Sequence, residues 1–187
     1  MAGRRLRRLT RSQGLALRWG IEPKDFWRTP PGVFSALDQE FRFGLDAAAA
    51  DAIDAKVERY LTPAQDALTC RWRDFCHPDR PAAFCNPPYS RKGGRGRGLL
   101  AWIEAGLRAR DDGMTVVFVV PPAPSTQYHR LLHQECPDRR IYDGRLSFIH
   151  PDTGVPVSGN RGDTMVAVLR PGLTGPATAA YIERPSC

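Results

Sequence analysis

The sequence predicts an open α/β domain with a mostly parallel sheet flanked by helices, and three observations carry that reading. Met114 to Pro122 contains the near-continuous apolar run Val116-Val117-Phe118-Val119-Val120, the pattern of a strand buried on both faces, as in parallel sheets. Ala82-Ala83-Phe84-Cys85 reads as a second, shorter buried strand. It must stop at Asn86-Pro87-Pro88-Tyr89, because two consecutive prolines cannot donate to a sheet ladder. Between the two lies Leu99 to Leu107, an amphipathic stretch with helical spacing. At 187 residues and 42% hydrophobic composition, the chain suits one domain with a substantial core.

The first twenty residues carry arginine at positions 4, 5, 7, 8, 11 and 18, with leucines between them. Two readings stand, a basic arm that orders on a polyanion and a solvated terminus; the arm is preferred. The segment lacks the apolar stretch of a secretory signal. Phe26-Trp27-Arg28-Thr29-Pro30-Pro31 follows, and Thr29 is expected to cap a helix whose first turn holds prolines and whose apolar face includes Val33, Phe34 and Leu37. Phe41 to Leu45 alternates as a strand ending on Asp46, and Ala47-Ala48-Ala49-Ala50 opens an expected helix that runs to about Tyr60. A carboxylate at a strand's carboxyl end suits ribose hydroxyls, since it accepts several hydrogen bonds; capping of the alanine helix is the competing account.

At the Pro-Pro tetrad each proline biases its predecessor toward extended geometry. Asn86 and the Pro87 carbonyl are thereby displayed at the strand's carboxyl edge, where open α/β sheets bind ligands. Ser90 to Gly98 then packs four glycines and four cations into nine residues. It does not match the GxxxxGK[ST] phosphate loop. Ser125 starts another helix, in which His129 and His133 lie one turn apart. With no evident third ligand this is an ordinary helix face, and no metal is expected. Ile141 to Ile149 and Thr164 to Leu169 are expected as the two strands of an antiparallel edge hairpin. Five scattered cysteines without a CxxC pair argue against a disulfide framework and a zinc site and fit a reducing cytoplasm. No apolar run is long enough to span a bilayer. A formal charge of +7 points to a polyanionic partner.

The tetrad resembles the catalytic signature of amino-group methyltransferases. With Asp25-Phe26-Trp27-Arg28-Thr29-Pro30, Phe41 to Ala49 and Asp143-Gly144-Arg145-Leu146-Ser147-Phe148, the ordered set is similar to phage-type DNA N6-adenine methyltransferases, the phage Dam-like family, over roughly Asp25 to Pro171. The resemblance implies a single Rossmann-like methyltransferase domain at residues 21–171, between a basic arm at 1–20 and a tail at 172–187. It implies S-adenosylmethionine as cofactor, double-stranded DNA as partner, and a phage or prophage protein working in the bacterial cytoplasm. Asn86, Pro87, Pro88 and Tyr89 would be catalytic, with Tyr89 stacking on a flipped base. Thr29, Pro30, Asp46, Ala47, Asp66 and Asn86 would line the cofactor site, Thr29-Pro30 at its methionine end. Asp66 resembles the acid that binds the cofactor's adenine amino group, although a surface-turn aspartate reads equally well. Arg91, Lys92, Arg95 and Arg97 would hold DNA phosphates. One departure stands out: no Gly-rich FxGxG turn precedes the tetrad, and Asp46 stands either for that first motif or for the ribose acid. The alternatives are an enzyme of the same fold acting on N4-cytosine, RNA or a protein amide, and a DNA-binding module that has lost its cofactor.

Overall fold

Val116, Phe118 and Val120 face one side of a strand and Val117 and Val119 the other, and all five are fully buried. That double burial fixes a three-layer arrangement, with helices on both faces of the sheet. The computed structural model describes residues 8–20, 22–90, 97–157, 162–176 and 178–185. In chain order the elements are α1 (Arg11–Trp19), a 3-10 turn (Pro23–Phe26), α2 (Pro31–Phe41), β1 (Leu45–Asp46), α3 (Trp72–Phe75), β2 (Ala82–Cys85), α4 (Leu99–Asp111), β3 (Thr115–Val120), α5 (Gln127–Glu135), β4 (Asp138–Tyr142), β5 (Met165–Leu169) and β6 (Ala180–Ile182).

The six strands form one sheet in the order β1-β2-β3-β5-β4-β6. β1, β2 and β3 pair in parallel, as do β4 and β6, whereas β5 runs antiparallel to both its neighbours. The expected antiparallel pair is therefore present, but it is not the edge. β6 forms that edge, built from the uninformative tail, where Ala180 and Tyr181 are exposed and leave no alternating pattern to read. One face packs on α4 and α5 through Ile103, Ala105, Ala109 and Leu132. The other packs on α2 through Val33 and Leu37, with Phe43 and Phe84 in an edge-on contact. Helix α4 comes close because Gly106 faces Phe118, whose ring lies 2.4 Å from where a Cβ would stand.

Three local expectations are corrected. Phe41 to Gly44 is not a strand. Arg42 turns left-handed at φ 53°, its N–H bonds the Asp38 carbonyl at 2.8 Å, and the Asp38 carboxylate takes the Phe43 N–H, so the segment closes α2. Residues 47–60 are not helical despite their alanines. The Asp46 carboxylate accepts the N–H groups of Ala48 and Lys56, and Asp46 pairs with Tyr60, so the chain leaves β1 and returns to it. Tertiary pairing here overrides alanine's helix propensity. The strand expected from Ile141 to Ile149 ends early, as β4: Gly144 at φ 75° turns the chain after Tyr142, and Leu146 and Phe148 enter the core from a loop.

The basic N-terminal stretch, over its described part, folds as α1. Arg11 bridges Asp51 and Asp54, and Ser12 bonds the Asp152 carboxylate through both N–H and hydroxyl. The four described cysteines are unpaired. Among the described residues no helix is long and apolar enough to cross a membrane, and no cluster of candidate metal ligands occurs.

Gly44 sets the start of the two strands that carry the site. It stands beside the approach to β2, bonding Ala82 and His77 through its backbone, and a Cβ there would lie 2.1 Å from the Arg80 carbonyl oxygen. Because that obstacle is backbone, Gly44→Ala is expected to cost about 2 kcal/mol or more. A urea titration should show a lower midpoint with an unchanged slope; an unshifted midpoint would refute the close-packing account.

Candidate active site

β1 and β2 place their chemistry side by side. Asp46 pairs with Phe84, the Ala47 N–H bonds the Phe84 carbonyl at 2.8 Å, and Asn86 follows two residues later. Both side chains line a cavity of about 360 Å³ at the carboxyl edge of the sheet. Thr29, Ala47 and Asp66 line the same cavity, so five of the six residues expected to hold a cofactor converge. Pro30 is the exception: it faces a separate groove with Arg145, Ser147 and Arg184.

The cavity has two characters. Leu61, Pro63, Ala67, Leu68 and Trp102 give it an apolar lining, and Asp66 and Arg97 line it as well. On the same lining Asp46 is 3% exposed, and burial pushes its carboxyl up to about 6, against the bonds from Lys56 and Ala48. Lys56 is half-buried, and its Nζ donates to the Thr29 carbonyl at 3.0 Å; burial lowers its pKa, opposed by Asp46.

Thr29 is 1% exposed and its hydroxyl has no partner among the described residues. It does not cap α2 as expected. Pro31 opens that helix and Pro30 takes the cap position, so Thr29 stands one residue too early to cap it. A buried unpartnered hydroxyl on a cavity wall is costly unless a ligand satisfies it. The alanines from 47 to 50 line the wall beside Asp46, and their small side chains let a ligand approach the backbone where a Gly-rich turn is missing.

At the tetrad, Pro87 is buried and Asn86, Pro88 and Tyr89 are half-buried. The Asn86 amide is fixed at both ends. Its Nδ2 donates to the Trp27 carbonyl at 3.2 Å, and its Oδ1 lies 3.0 Å from the Tyr89 hydroxyl. That hydroxyl also reaches the Val119 carbonyl at 2.9 Å, and its single hydrogen serves one acceptor at a time. Burial pushes the Tyr89 phenol well above its ordinary range. Behind the tetrad, the Asp25 carboxylate accepts the N–H groups of Tyr89 and Ser90.

Of the expected DNA contacts, Arg91, Lys92 and Arg95 lie outside the described residues. Arg97 is bound to Asp66 through both guanidinium nitrogens, one at 3.0 Å, and the pair holds the Asp66 carboxyl below its usual range. Reading the sequence assigned no role to Asp25, the Trp27 carbonyl, Lys56 or Trp102. Asp25 and Trp27 belong to a motif quoted above; Lys56 and Trp102 carry no signal of their own.

A neutral amide acceptor on the wall of a pocket with a buried carboxylate and an unpartnered hydroxyl suits group transfer to an amino nitrogen, the chemistry of amino-group methyltransferases. Residues 20–186 match the family model described as DNA N-6-adenine-methyltransferase (Dam). Relatives include the DNA N-6-adenine-methyltransferase of Haemophilus phage HP1, 28% identical over 152 residues that cover 79% of this chain and 80% of that protein. The DNA N-6-adenine-methyltransferase of Escherichia phage T1 is 24% identical over 164 residues, covering 79% of this chain and 63% of that protein. The chain belongs to the DNA N-6-adenine-methyltransferase (Dam) family.

Proposed function

We propose that the chain transfers a methyl group from S-adenosylmethionine to the exocyclic N6 of an adenine flipped out of double-stranded DNA, in the cytoplasm of a bacterial host. Family membership makes it an adenine-specific DNA methyltransferase; the cofactor, the flipping and the residue roles are our reading. The observation that carries it is Asn86, held rigidly at the carboxyl edge of β2 on the wall of the cavity that also contains Asp46 and the unpartnered Thr29 hydroxyl.

When bound, the cofactor would supply an electrophilic methyl group and leave as the neutral thioether, and the methylated nitrogen would release one of its two hydrogens as a proton to solvent. Asn86 Oδ1 and the Pro87 carbonyl accept the two amino hydrogens, which draws the nitrogen lone pair out of ring conjugation and stabilises positive charge as it develops. Pro87 and Pro88 keep those acceptors from relaxing, which helps hold the nitrogen in line with the methyl group, an alignment of the kind that supplies on the order of several kcal/mol. A base inside the duplex is out of reach, so it must leave the stack, and Tyr89 offers a ring face for it. Asp46 accepts ribose hydroxyls, Ala47 to Ala50 let the cofactor lie against the backbone, and the Thr29 hydroxyl gains its missing partner at the methionine end. Asp66 serves the adenine amino group. In this reading residues 21–171 form a Rossmann-like catalytic unit, residues 1–20 a basic arm and residues 172–187 a tail that adds a strand.

Incubation with labelled S-adenosylmethionine and unmethylated double-stranded DNA, followed by nucleoside analysis, should give label in N6-methyladenine alone. Label in cytosine or in protein would overturn the assignment.

Arg91, Lys92, Arg95 and Arg97 are assigned to DNA phosphates. Alanine at all four should raise the DNA KM and leave target choice unchanged. Each lost contact should flatten the dependence of log affinity on log salt by about one unit. The Asp66–Arg97 pair adds a distinction: among the four single variants, only Arg97→Ala should also change cofactor affinity. A changed recognition sequence with an unaltered salt slope would mean that these residues read bases instead.

A further inference from the structure

We infer that Asp25 is a positioning residue for the catalytic turn, setting Tyr89 and Ser90 while the neighbouring Trp27 carbonyl sets Asn86; this rests on the reading of Asn86 given above. The tetrad's two prolines stiffen its middle, but nothing in their rings fixes its ends. Those ends are held by one short stretch 59 to 65 positions earlier in the chain. At the front, Asn86 Nδ2 donates to the Trp27 carbonyl at 3.2 Å, which decides which end of the amide is the acceptor. At the back, Asp25 Oδ1 accepts the backbone N–H groups of Tyr89 at 3.0 Å and Ser90 at 2.9 Å. The Ser90 hydroxyl donates to Oδ2, which also takes the Glu22 N–H at 3.1 Å.

Those four donors occupy the four lone-pair sites of a carboxylate. Asp25 faces the cofactor cavity, yet no site remains on it for a ligand. Its influence on the reaction therefore runs through the turn. Hydrogen bonds to an ionised acceptor are also about twice as strong as neutral ones, which suits a clamp that must hold a loop end during turnover. The 3-10 turn Pro23–Phe26 is itself fixed by reciprocal bonds between Glu22 and Asp25, so the clamp stands on a closed local structure.

The test uses the full-length enzyme and three variants, Asp25→Ala, Asp25→Asn and Ser90→Ala. Asp25→Ala should lower kcat roughly tenfold to a hundredfold, the scale of a small misplacement of reacting groups, with little change in cofactor Kd. Asp25→Asn keeps an oxygen for the two amides and should recover most of that loss. Ser90→Ala, which removes only the hydroxyl contact, should fall between it and wild type. Rates are normalised to active sites by burst amplitude, so a merely misfolded fraction does not imitate the effect. Independently of any activity, amide hydrogen exchange at Tyr89 and Ser90 should accelerate in Asp25→Ala while exchange in β3 stays unchanged. Normal kcat, a cofactor Kd that worsens in step with kcat, or unaltered exchange at the two amides would each overturn the assignment. A wild-type enzyme that methylates no DNA, with the exchange result as expected, would sink the functional reading and leave the clamp standing.

Discussion

Asn86→Ala should lower turnover by roughly a hundredfold or more, the usual loss when one preorganised electrostatic partner is removed from a reacting centre. The substitution deletes the Oδ1 acceptor and releases the bonds to Trp27 and Tyr89. Cofactor affinity should change far less, because Asp46, Thr29 and the apolar lining of the cavity remain. Single-turnover methylation with both substrates saturating measures the chemical step directly. Near-normal rates would remove Asn86 from the mechanism.

Asp46→Ala should weaken S-adenosylmethionine binding by about 1–3 kcal/mol, the cost of losing a buried hydrogen-bond acceptor. Calorimetry that found unchanged affinity with lowered thermal stability would reduce Asp46 to an anchor for the loop it holds. A pH signature accompanies this. Burial pushes Asp46 from its ordinary 3.8 up to about 6, opposed by the Lys56 and Ala48 N–H groups and the Lys56 charge and reinforced by Asp54. The folded apo-protein therefore favours the protonated form. The stability this contributes is fully present below about pH 4 and is lost as pH rises through about 6, a change of about 3 kcal/mol. Cofactor binding runs the other way, since ribose donors favour the carboxylate, so affinity should fall as pH drops below 6. Asp46→Asn should flatten both limbs. Limbs that persist in that variant would assign the titration elsewhere.

The buried strands were legible because a run such as Val116 to Val120 has few alternatives once both faces are apolar. The tetrad was legible because consecutive prolines permit little else. Residues 47–60 were not. Their alanines favour a helix locally, and only the pairing of Asp46 with Tyr60 and the grip of one carboxylate on Ala48 and Lys56 override it. β1 is two residues long, too short for any periodicity to register. Asp46, Thr29 and Asn86 were found as side chains whose types suggest their work, and they do share a wall. The Trp27 carbonyl could not be found that way, because every residue has one. Asp25 acts on backbone N–H groups far along the chain, a relation that no local window contains.

The antiparallel strand carries a consequence for how the protein is made. β5, formed by Met165–Leu169, lies between β3, which ends at Val120, and β4, which ends at Tyr142. During synthesis the apolar strand β3 therefore waits with one flank bare, on the order of seconds at ordinary elongation rates, until its partner leaves the ribosome. Such a flank is a template for pairing with another chain. A nascent product halted before residue 165 would combine that exposed flank with an already formed tetrad strand. Such a stalled fragment, more than the finished enzyme, is the species expected to aggregate and to engage chaperones.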